Sequence, residues 1–160
     1  MTDKELQIFA NNYKPTDFSK IRYDWNGKFG HEFQDPNYEF RMALCQFLIP
    51  QIDKISIELV RDLFVETAKT SKATFSIYLN IHIYAQELLR RDWEKYLLDY
   101  LEAGTYGMDS YIGIGRIEIE KETAQSIFDY MTTTLRTSTN QYMNKLMKGF
   151  LPRFQWLASK

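Results

Sequence analysis

This chain has one cysteine, two histidines, four prolines and seven glycines in 160 residues, and each shortage removes a class of function. A single cysteine, Cys45, excludes an internal disulfide framework. It lies in the apolar run Met42-Ala43-Leu44-Cys45-Gln46-Phe47-Leu48-Ile49, where a small buried thiol in a reducing, cytoplasmic compartment is expected. No His neighbours it to lower its pKa, so a nucleophilic role is not indicated.

His31 and His82 are far apart, and neither has a second His or Cys at ligand spacing, so neither metal nor cofactor is called for. The phosphate-binding G-x-x-x-x-G-K-[ST], the dinucleotide G-x-G-x-x-G, the zinc H-E-x-x-H and the hydrolase G-x-S-x-G are all missing. No run of roughly eighteen apolar residues occurs, which excludes a helical membrane span. The start, Met1-Thr2-Asp3-Lys4-Glu5-Leu6, lacks the basic region and apolar core of a signal peptide.

What is present is the composition of one folded domain spanning residues 1–160: 44% apolar and 26% charged, with a net charge of −1. Aromatics make up 16%, enough for both a core and a recognition surface. Charge is unevenly placed. Residues 87–129 carry ten acids against five bases, whereas 130–160 carry five bases and no acid. Internal pairing of the basic end with the acidic middle is the expected use of this asymmetry.

Helical signals dominate. A short helix is expected near Asp3 to Asn11, succeeded by an irregular, aromatic-rich segment over 13–34 that holds Pro15, Gly27 and Gly30. Asp35-Pro36 reads as a helix start, with Phe40, Ala43, Leu44, Phe47 and Leu48 at helical spacing and Pro50 as the stop. Ser56 is placed to cap the next helix, which buries Ile57, Val60, Leu63 and Phe64. Residues 74–84 alternate apolar and polar as a strand would, yet also form two apolar stripes on a helical wheel. With no turn signal before Ala85-Gln86-Glu87-Leu88-Leu89, a central helix from about Lys72 to Arg91 is preferred, an α+β fold being the alternative.

Asp92 can cap a further helix that Gly104 would end in a left-handed conformation. Ala124, Ile127, Phe128, Met131 and Leu135 mark another. A last helix spans about Thr139 to Lys148, interrupted by Gly149 and Pro152. The expected fold is therefore all-α: a single-domain bundle or short stack of about six antiparallel helices.

Four of the seven glycines fall between Gly104 and Gly115, which suggests a loop with special backbone requirements. Gly113-Ile114-Gly115-Arg116 could form an anion nest, but Glu118, Glu120 and Glu122 would repel a phosphate there. The favoured reading is a non-catalytic protein-interaction domain, inhibitor-like or antitoxin-like, whose loop residues Tyr106, Met108, Asp109, Tyr111 and Arg116 contact a basic protein. The alternative is an enzyme or small-anion binder assembled from His82, Tyr106, Asp109 and Arg116. The basic, aromatic C-terminal run from Lys145 to Lys160 is expected to dock on the core rather than on lipid or nucleic acid, since the pI of about 6.1 is not that of a nucleic-acid binder.

Overall fold

A computed structural model describes residues 2–160, and among them every regular element is helical. The order is α1 (Asp3–Asn12), α2 (Tyr38–Leu48), α3 (Ile57–Thr74), α4 (Ile81–Ala103), α5 (Met108–Ile114), α6 (Lys121–Thr137) and α7 (Gln141–Ser159). Short 3-10 turns cover Pro15–Lys20, Gly30–Glu32 and Ile49–Lys54. The all-α expectation holds, and the α+β alternative does not.

Two helical hairpins carry most of the packing, α3 against α4 and α6 against α7. α4 touches α7 and thereby joins them. The reasons are local. Thr2 and Glu5 form a reciprocal capping box on α1, and the Ser56 hydroxyl accepts the Leu59 amide to start α3. Leu59, Leu63 and Phe64 on α3, Leu88 and Tyr100 on α4, Ile127 and Met131 on α6, and Met147 and Phe154 on α7 then meet in one core. Tyr84 is buried as well, and its hydroxyl donates to the Cys45 carbonyl at 2.8 Å. Cys45 itself is buried, as expected, and burial raises its thiol pKa from 9.0 to about 11.

Several boundaries differ from expectation. The predicted helix from Lys72 to Arg91 does not exist: α3 runs on to Thr74, Phe75 turns left-handed at φ 53°, and α4 starts at Ile81. Asp92 does act as a cap, accepting the Lys95 amide for the second half of α4, but it does so at a kink within that helix. α7 passes through both Gly149 and Pro152 without a break. Its buried Leu146, Phe150, Phe154 and Leu157 hold it helical, so packing outweighs the hydrogen bond that proline cannot make.

The expected pairing of the basic end with the acidic middle is also absent. Among the described residues no ion pair involves Arg136, Lys145, Lys148, Arg153 or Lys160. α7 docks through its apolar side chains instead.

Residues 13–34 form a strap, and Arg41 holds it from inside. Its side chain is fully buried, pairs with the buried Asp35 carboxylate at 2.7 Å, and donates to the Ile21 carbonyl at 3.1 Å and the Thr70 hydroxyl at 3.1 Å. Asp35 therefore does more than begin a helix. Its other oxygen accepts the Asn37 amide, while α2 begins only at Tyr38. A second tie comes from buried Glu66, which accepts the Tyr23 amide at 2.7 Å.

Candidate interaction surface

The segment 104–115 is not a loop. α5 occupies most of it, and none of its four glycines has a positive φ in the left-handed region. Gly27 and Gly30 in the strap do. Two of the segment's glycines, Gly104 and Gly113, are needed for closeness. A Cβ on Gly104 would collide with the Phe150 ring and with Ile114, and one on Gly113 would come within 2.9 Å of Ile77. Gly104 ends α4 in a right-handed conformation, not the left-handed one expected. Small residues thus let α5 press onto α4 and α7.

The five residues singled out around this segment separate into different environments. Tyr106 is half-buried beneath the Lys72 ammonium, 4.0 Å from its ring centroid, and burial beside Glu102 pushes its phenol up to about 12. Tyr111 leans on Phe150, with ring centroids 5.1 Å apart, and the Arg153 guanidinium lies 4.4 Å from its ring. Arg153 also donates to the Tyr111 carbonyl and the Tyr100 hydroxyl. Tyr106 therefore serves internal packing, while Tyr111 is tied to α7 by one face of its ring and remains exposed. Met108, Asp109 and Arg116 point outward.

Asp109 and Arg116 line one shallow depression of about 280 Å³ together with Phe75, Leu79 and Ile112, floored by Ile77 and Gly113. His82 is not part of it. Its Nδ1 lies 3.2 Å from the Leu79 carbonyl, so the structure does not unite His82, Tyr106, Asp109 and Arg116 in a common cavity. Among the described residues no three His, Cys, Asp or Glu side chains gather in a ligating group.

The depression is the centre of an apolar face. Met108 is 79% exposed, Leu79 71%, Phe75 69% and Ile112 52%. Met108 and Ile112 sit one turn apart on α5 and share a side of the helix. On the other flank Phe29 stacks on Phe75 at 6.2 Å, and Trp25 meets Phe29 edge-on at 4.8 Å. Isolated exposed apolar residues are ordinary, but a contiguous set rimmed by charge marks a contact surface.

Phe75 adds a second signal. It is the only non-glycine residue with positive φ among those described, at a helix end where glycine is the usual occupant. An L-residue pays roughly 1–2 kcal/mol for that conformation, and the exposed ring recovers little of it by burial. Phe75 and Leu79 are hidden in the sequence, because the helical reading of 74–84 places them in an apolar stripe packed against a neighbour.

No protein family, curated protein or solved structure matches the chain. Among the described residues no helix is long and apolar enough to cross a membrane.

Proposed function

We propose that this chain is a non-catalytic protein-interaction domain whose contact surface is the apolar face of Phe75, Leu79, Met108 and Ile112, bordered by Asp109 and Arg116. The observation that carries the reading is the exposure of three large apolar side chains, Phe75, Leu79 and Ile112, around one depression, with exposed Met108 one turn before Ile112 and Phe75 held in a costly backbone conformation. Large, centrally placed apolar side chains supply most of the energy of a protein contact, and the polar rim excludes water and selects the partner.

A basic protein partner suits Asp109 at the border of this face and the carboxylates that follow it in the chain. Asp109, Glu118 and Glu122 are exposed, and none is in an ion pair among the described residues, so their charge is available for steering. An inhibitor-like or antitoxin-like role in a reducing, cytoplasmic setting is consistent with such a surface and with a single buried thiol.

The test is affinity capture with immobilised protein, comparing the wild type with the Leu79→Ser/Ile112→Ser double variant. A specifically retained basic protein, lost in the variant while its helical circular dichroism is unchanged, supports the reading. Equal retention by both proteins removes it.

A further inference from the structure

We infer that the apolar face also takes a second copy of this chain, in a two-fold dimer centred on Ile112. This rests on the reading of the face as a contact surface and goes further in naming an occupant. The argument is charge complementarity. Asp109 and Arg116 border the same depression with Ile112 between them in sequence, and neither is in an ion pair among the described residues. Asp109 lies in the first turn of α5 and Arg116 in the turn just past its end at Ile114, so the two charges bracket the helix.

A two-fold interface is self-complementary: where residue i of one subunit meets residue j of the other, j also meets i. Two α5 helices laid antiparallel across an axis near Ile112 bring Asp109 of each copy to Arg116 of the other. Ile112 then packs on Ile112, with Met108, Leu79 and Phe75 of both copies closing around the pair. The same rotation satisfies both free charges and covers the most exposed apolar side chains together. A parallel arrangement would set carboxylate against carboxylate.

Sedimentation velocity over a range of protein concentrations reads this directly. The wild type is expected to associate to a dimer. Asp109→Arg and Arg116→Asp, each at an exposed position, are each expected to weaken the dimer roughly tenfold or more by placing like charges opposite one another. Mixing the two single variants in equal amounts is expected to restore association as a heterodimer, because position 109 of each then faces an opposite charge at position 116 of the other. Circular dichroism of each variant checks that the fold is intact.

A wild type that stays monomeric at every concentration overturns the inference, as does a wild-type dimer that both single variants retain, or a mixture that fails to associate. The outcome is separable from the capture experiment. Wild-type monomers whose capture of a basic protein depends on Leu79 and Ile112 defeat self-association and leave the interaction reading standing. A dimer sensitive to the charge exchange, with no basic protein captured, does the reverse for the separate basic partner.

Discussion

At the strap, a guanidinium and a carboxylate sit inside the protein, where apolar side chains are the norm. At the α5 face, Phe75, Leu79, Met108 and Ile112 sit outside, where polar side chains are the norm. The Arg41 terminal nitrogens have internal partners, the Ile21 and Arg22 carbonyls in the strap, the Asp35 carboxylate just after it and the Thr70 hydroxyl on α3, so Arg41 fastens a largely irregular segment. The α5 face has no such account. Its side chains gain little from folding, and one of them requires an unfavourable backbone. The first departure is explained by stability; the second points outward, to a partner.

The comparison breaks first at Arg41. Arg41→Ala leaves the buried Asp35 charge without its partner and is expected to cost about 3–5 kcal/mol in chemical denaturation, with amide exchange accelerated across the strap. Adding Asp35→Asn is expected to recover part of that loss. A cost below about 1 kcal/mol would mean that the pair does not fasten the strap.

Alkaline titration probes the same interior. Cys45 has its pKa raised by burial from 9.0 to about 11, and Tyr100 from 10.0 to about 12. Both are neutral in the fold, and the unfolded chain releases their protons first. Stability is therefore complete below pH 9 and declines between pH 9 and 11 for Cys45 and between pH 10 and 12 for Tyr100. The loss should be about 2–3 kcal/mol for each group, read as a falling denaturation midpoint. A midpoint unchanged up to pH 11 would contradict the burial of Cys45.

Gly104→Ala tests whether closeness explains the glycines of 104–115. The new methyl meets the Phe150 ring and Ile114, so thermal unfolding is expected to show a loss of about 1–3 kcal/mol, although alanine is the better helix former. A gain would show that the ring moves aside freely.

On the α5 face the effects should be smaller and divided between properties. Phe75→Gly relieves the left-handed conformation and is expected to raise stability by about 1 kcal/mol while weakening whatever contact the face makes. A clear loss of stability would assign Phe75 to the fold. Ile112→Ser is expected to change stability by less than about 0.5 kcal/mol. The same change should abolish binding, and a large destabilisation would erase the distinction between the two regions.

How much was legible in advance depends on the range of each interaction. The starts at Ser56 and Asp92 and the apolar spacing of Ala124, Ile127 and Met131 announce themselves because capping and amphipathicity act over a few residues. The end of α3 at Thr74 did not, because Phe75 occupies a position where sequence rules look for glycine. Nor did the passage of α7 through Pro152, which depends on what its far side is packed against. Of the candidate site, Met108, Asp109 and Arg116 were recognisable as members of an unusual segment. Phe75, Leu79 and Ile112 required knowledge of which sides of α4 and α5 remain uncovered.

By itself, the order of residues determined a mainly helical chain without disulfide, helical membrane span or recognisable catalytic motif, and left 74–84 open between helix and strand, because composition, caps and short-range periodicity act locally. Tertiary structure alone decided that Gly104 and Gly113 serve close packing, that Arg41 lies inside, that Tyr106 is half-buried under Lys72 and that a row of apolar side chains stays uncovered. Those outcomes depend on which distant surfaces meet, and no local pattern encodes that.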